Sequence, residues 1–86
     1  MVDAAVVPNP LLAAARSILP DVIETRRRLH RIPEVGLTVP ATQAIVAEQV
    51  RALGLEPRLG ERTTSVVAVI EGGRPGPAIL LRADMD

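Results

Sequence analysis

The residues best suited to chemistry lie near the carboxyl end of the sequence, where Asp84 and Asp86 follow the apolar run of residues 78–81. Open α/β sheets usually build their sites just beyond the carboxyl ends of strands. Carboxylates at positions i and i+2 can bind a divalent ion, orient a ligating imidazole, or serve as general acid and base. A solvated strand end produces the same pattern, so both interpretations stay open at this point.

The single histidine, His30, falls at the predicted end of a helix, beside the arginines at 26–28 and Arg31. A histidine there suits the negative end of the helix dipole, which favours a capping or hydrogen-bonding role over metal ligation. The arginines belong to a chain of zero net charge and are interpreted as a solvated helix face. The glycine cluster of residues 72–76 lacks the spacing of a phosphate-binding loop and precedes an apolar run that is not helical.

The composition of the 86 residues favours small-molecule chemistry. Ten arginines balance ten acidic residues, so no overall field attracts nucleic acid or an anionic membrane, and we expect neither as a partner. The absence of cysteine excludes disulfides and thiolate zinc ligands within these residues. No apolar stretch approaches the roughly 20 residues that span a bilayer. Because Asp3 stands where a secretory signal would carry a basic residue, we predict a soluble, cytoplasmic protein.

Helices are predicted for the first half of the chain. Asn9 followed by proline is a helix start, with the asparagine as N-cap. Apolar residues then recur at helical spacing as far as about residue 31, and Pro20 is expected to divide this segment into two helices. A further helix is predicted to begin at Pro40 and to stop at Gly54.

Strands are predicted for the second half, at residues 55–59, 66–70 and 78–81. The turn residues at 72–77 predict a hairpin between the last two runs. The fold class is therefore α/β or α+β, with amino-terminal helices followed by a β-hairpin. Because these apolar runs do not alternate with polar residues, they resemble strands covered on both faces, and we expect further strands and helices to follow Asp86 in the complete fold.

Residues 26–36, RRRLHRIPEVG, resemble the R-R-x-L-H-x-x-P-E-x-G signature of the hippurate hydrolase and indole-3-acetyl-amino-acid hydrolase family of metallopeptidases. Further segments continue the order of that family, namely Thr42, residues 51–55, residues 66–70, residues 76–77 and residues 81–86. The resemblance identifies residues 1–86 as the incomplete amino-terminal part of one zinc-peptidase-like catalytic domain, with residues 1–9 as a flexible start.

The resemblance implies an enzyme that hydrolyses the amide bond of N-acyl amino acids. Family members use one or two divalent metals, zinc, manganese or cobalt, held by a Cys-x-His pair, a Glu-Glu pair and further histidines. They carry an inserted smaller domain and often form homodimers. None of those ligands has a counterpart in this sequence, so we expect the chain alone to bind no metal and to be inactive. The alternative is a non-enzymatic binding or regulatory module that pairs through an unfinished sheet edge.

The resemblance also assigns roles residue by residue. Asp86 matches the catalytic aspartate that lies beside the metal site and helps to orient it. Asp84 matches the position where related peptidases place a metal-binding histidine, which makes it a candidate metal ligand. His30, Glu34 and Gly36 match signature residues that we interpret as structural. Many relatives carry glycine where this sequence has a serine at position 65, a difference that affects only the expected local turn.

Overall fold

The computed structural model describes residues 9–86 and contains four elements. They are, in chain order, α1 (Pro10–His30), α2 (Pro40–Ala52), β1 (Arg58–Leu59) and β2 (Val66–Val67). The chain divides into two compact units, of which Arg31 ends the first and Ile32 begins the second. Apart from Asn9, the predicted flexible start lies outside the described residues.

Helix α1 begins as predicted, because the Asn9 side chain accepts hydrogen bonds from the N–H groups of Leu11 and Leu12 at 3.0 and 3.2 Å. The predicted division at Pro20 is wrong, since one continuous helix runs through that residue to His30. Proline removes a single hydrogen bond to the preceding turn, and the good helix-forming residues at 11–16 and 26–29 favour one continuous helix across it. No described helix is long and apolar enough to cross a membrane.

Helix α2 has both predicted ends. Pro40 is its first residue, and Gly54 follows its carboxyl end with a φ of 83°, in the left-handed region that favours glycine. The helix contacts β2, and the side chains of Val39, Ile45 and Ala47 form the small buried core of the second unit.

Strands β1 and β2 form an antiparallel pair in which Arg58 faces Val67 and Leu59 faces Val66. The predicted order of helices followed by a hairpin is therefore confirmed, but the predicted pairing of residues 66–70 with residues 78–81 is wrong. Residues 78–81 belong to no strand in the described chain. A continuous apolar run indicates burial on both faces, but it does not identify the neighbouring strand.

The turn between β1 and β2 explains which strands pair. The N–H of Gly60 donates to the carbonyl oxygen of Ser65 at 2.9 Å and closes the turn. A Cβ at Gly60 would meet the Ser65 hydroxyl and would lie 2.6 Å from the carbonyl oxygen of Thr63. Glycine at this position therefore permits the close approach that brings the two strands together.

Candidate functional site

A groove with a volume of about 460 Å³ brings part of the family signature and both aspartates together. Its lining comes from the loop before α2 (Gly36, Leu37, Val39), the hairpin turn (Thr63, Thr64, Ser65) and the last residues of the chain (Arg82, Ala83, Asp84, Met85, Asp86). All of these residues belong to the second unit. The sequence indicated chemistry at the aspartates, and the structure adds the loop and the turn as their neighbours.

The two aspartates differ in their surroundings. The Asp84 carboxylate accepts a hydrogen bond from Nη2 of Arg82 at 2.9 Å, and the side chains of this pair are 72% and 81% exposed. Such an exposed ion pair contributes about 0–1 kcal/mol. Asp86 is exposed and has no hydrogen bond or ion pair within the described part of the chain.

The side chains of the described residues do not form a complete metal site. Among residues 9–86, no three or more His, Cys, Asp or Glu side chains are grouped so that they could hold a metal ion. A typical catalytic zinc site has three protein ligands and one open position. Asp84 and Asp86 offer two carboxylates at most, and Arg82 already engages the first of them.

Glu34 binds the amino-terminal turn of α2 from the preceding loop. Its Oε1 accepts from the N–H of Thr42 at 2.7 Å, and its Oε2 accepts from the N–H of Ala41 at 3.3 Å. These N–H groups have no partner inside the helix, and a carboxylate there also complements the helix dipole. The hydrogen bond from the Thr42 N–H is the main cause that lowers the pKa of Glu34, with desolvation acting in the opposite direction.

The other two signature residues occupy different environments. Gly36 has a φ of 85°, and nothing lies within 4 Å of the place where a Cβ would be. The loop can therefore turn sharply between Glu34 and Leu37 without strain. His30 is the exposed last residue of α1 and belongs to the first unit, so it does not line the groove.

Thr64 makes contacts that the sequence alone does not indicate. Its hydroxyl accepts from the N–H of Val39 at 2.7 Å and donates to the carbonyl oxygen of Leu37 at 3.0 Å. The neighbouring Ser65 carbonyl oxygen accepts from Nε2 of Gln43 at 3.2 Å. Hydroxyl residues just before a strand can be recognised in the sequence. Their hydrogen-bond partners lie more than 20 positions away, so the sequence does not identify those partners.

Comparison with known proteins gives a consistent group of relatives. Thermostable carboxypeptidase 2 of Saccharolobus solfataricus is 42% identical over 66 residues, which cover 76% of this chain and 17% of that protein. N-acyl-L-amino acid amidohydrolase of Geobacillus stearothermophilus is 38% identical over 66 residues, covering 77% of this chain and 18% of that protein. IAA-amino acid hydrolase ILR1-like 2 of Arabidopsis thaliana is 30% identical over 86 residues, which cover 98% of this chain and 19% of that protein.

No protein-family model matches the chain, and no solved structure matches it significantly. The chain spans between 17% and 19% of the length of the three relatives described above. The matches lie in the amino-terminal region of those proteins, which confirms the resemblance found in the signature of residues 26–36. The chain therefore belongs to the amidohydrolase family of these relatives and corresponds to its amino-terminal region.

Proposed function

We propose that this chain is the amino-terminal part of the catalytic domain of a metal-dependent amidohydrolase that hydrolyses the amide bond of N-acyl amino acids. The observation that carries the proposal is the match, at 38% identity over 66 residues, to a protein named N-acyl-L-amino acid amidohydrolase. The other relatives, a carboxypeptidase and an IAA-amino acid hydrolase, are named for hydrolysis of a related kind. We also propose that the complete enzyme acts in the cytoplasm and forms a homodimer.

Asp86 is the proposed catalytic residue of this region, and Asp84 is the proposed metal ligand. The exposure of both carboxylates supports this assignment, because groups supplied by other parts of a complete enzyme can reach them. Zinc, manganese or cobalt, when bound by the complete enzyme, supplies Lewis acidity toward the substrate carbonyl. The described residues hold too few donors to bind that metal by themselves.

The chain alone is proposed to be inactive for two physical reasons. Among the described residues, too few side chains are grouped to bind a metal, and the segment that carries Asp84 and Asp86 has no strand partner there. Catalytic groups must be held within about 0.5 Å of the productive geometry by packed neighbours. The exposed pair of Arg82 and Asp84 cannot supply that rigidity.

A binding or regulatory module is the second candidate, and one observation favours it. Ile79, Leu80 and Leu81 are 87–90% exposed, and their backbone is unpaired within the described chain. An unpaired apolar segment can add to the sheet of another polypeptide by β-augmentation. A full-length relative of the same family is the polypeptide that this candidate requires.

The test compares the purified chain alone with the chain mixed with a relative that lacks its matching amino-terminal region. Hippurate and other N-acyl amino acids are the substrates, with zinc, manganese or cobalt added. We expect no hydrolysis by either component alone and hydrolysis by the mixture. Hydrolysis by the purified chain alone would contradict the proposal, whereas a complex that forms without activity would support the binding module.

A further inference from the structure

The start of α2 presents three backbone N–H groups, from the N-cap residue Val39 and from Ala41 and Thr42, and each donates to a side chain outside the helix. Pro40, at the first helical position, has no N–H to satisfy. Thr64 accepts from the N–H of Val39, and Glu34 accepts from the next two N–H groups in the helix. The first hydrogen bond of the helix itself then begins with the carbonyl oxygen of Val39. Two side chains 30 positions apart in the sequence therefore complete one helix end.

We propose that Thr64 is a positioning residue that, together with Glu34, fixes the loop of residues 34–39 as one wall of the groove that Asp84 and Asp86 also line. We call the Glu34 carboxylate and the Thr64 hydroxyl the clasp. The clasp and the groove are both formed by residues of this chain, whichever reaction the complete enzyme catalyses.

The geometry of Thr64 suits a fixed anchor. The hydroxyl both accepts and donates, and the carbonyl oxygen of Leu37 also accepts from the Thr64 N–H at 3.4 Å. A branched side chain such as threonine has few rotamers, so its hydroxyl holds a direction that a flexible side chain would not. Val39 is only 3% exposed, and a buried N–H left without a partner is costly. The Thr64 hydroxyl therefore holds both Leu37 and Val39 in place.

The clasp determines the position of the groove wall because residues 35–38, between Glu34 and the buried Val39, are all exposed. The left-handed turn at Gly36 is permissive, and Val35 and Leu37 are 88% and 77% exposed. Glu34 anchors the loop before this turn and Thr64 anchors it after the turn. Removal of the Thr64 hydroxyl leaves Leu37 and Val39 without their side-chain partner, and the wall facing the aspartates becomes mobile.

The experiment uses the 86-residue chain with Thr64→Val, which keeps the shape and removes the hydroxyl, and Thr64→Ser, which keeps the hydroxyl. Thr63→Val is the matched control, because Thr63 is the exposed neighbour and makes no hydrogen bond within the described residues. Amide exchange measured by NMR reports on the N–H of Val39. The chain has no cysteine, so Asp86→Cys provides a single site for a nitroxide label, whose broadening of the Gly36 and Leu37 amides falls steeply with distance.

We expect exchange at Val39 to be roughly five- to tenfold faster in Thr64→Val than in the unsubstituted chain, from the loss of one buried hydrogen bond. Broadening of the Gly36 and Leu37 amides should fall in the same variant, return in Thr64→Ser, and stay unchanged in Thr63→Val. If Thr64 only capped α2, Thr64→Val would speed exchange at Val39 but leave the broadening of the Gly36 and Leu37 amides unchanged. That result would overturn the proposal. An unprotected Val39 amide in the unsubstituted chain, or equal effects of the two valine variants, would also overturn it.

Discussion

Gly36→Ala tests whether the left-handed turn in the signature loop supports the contacts on either side of it. Gly36 has a φ of 85°, where a side chain costs about 1–2 kcal/mol. Nothing lies within 4 Å of the added Cβ, so the backbone conformation supplies the whole effect and no steric clash adds to it. The turn lies between Glu34 and Leu37, both of which contribute contacts near the start of α2. Local opening there should therefore become easier by about 1–2 kcal/mol.

Amide exchange measured by NMR is the appropriate assay, because the chain has no aromatic residue for fluorescence. We expect exchange of the Ala41 and Thr42 amides to be roughly 5–30-fold faster in Gly36→Ala. Gly36→Asn should have a smaller effect, since asparagine tolerates the left-handed region better than alanine. Gly73→Ala is the matched control, because that glycine has no positive φ and no neighbour within 4 Å. Equal exchange rates in Gly36→Ala and Gly73→Ala would show that the left-handed turn does not support these contacts.

Three further predictions concern the cap, the hairpin and α1. The pKa of Glu34 is lowered from its ordinary value of 4.5, so the stability that it gives to the start of α2 is present above that value and is lost as the pH falls through the lowered pKa. Hydrogen exchange of the Ala41 and Thr42 amides, corrected for intrinsic rates, should therefore become faster only as the pH falls through the lowered pKa of Glu34. Glu34→Gln should abolish this acceleration. Gly60→Ala should destabilise the β1–β2 pair by about 1–3 kcal/mol through overpacking, seen as weakened cross-strand contacts in NMR spectra, while Gly76→Ala should not. Pro20→Ala should raise the helical circular dichroism signal and stabilise α1 locally by up to about 3 kcal/mol, whereas Pro10→Ala at the first helical position should give no gain.

Local signals in the sequence predicted the helix ends correctly. The Asn9 cap, the start at Pro40 and the stop at Gly54 each depend on residues within one turn of the helix, and the structure has all three. The expected break at Pro20 failed, because the cost of one missing hydrogen bond was smaller than the gain from continuing a favourable helix.

Contacts between distant residues could not be predicted in the same way. The strand pairing includes a turn closed by the hydrogen bond from Gly60 to Ser65, in which a Cβ at Gly60 would have no room, and residue types alone do not reveal this geometry. The sequence also selected Asp84 and Asp86 by their chemistry, but it could not place Thr64 in the same groove. Sequence patterns report which face of an element is apolar, whereas tertiary contacts depend on how the loops close.

The most direct test of the family assignment is a chimera in which this chain replaces the matching amino-terminal region of the Geobacillus stearothermophilus N-acyl-L-amino acid amidohydrolase. Hydrolysis of N-acetyl amino acids is measured with zinc, manganese or cobalt, in the chimera and in its Asp86→Asn variant. We predict that the chimera is active and that Asp86→Asn lowers kcat by at least about 100-fold, the scale of losing one preorganised catalytic contact. A folded chimera that remains inactive with every metal, or one whose activity does not depend on Asp86, would contradict the proposal.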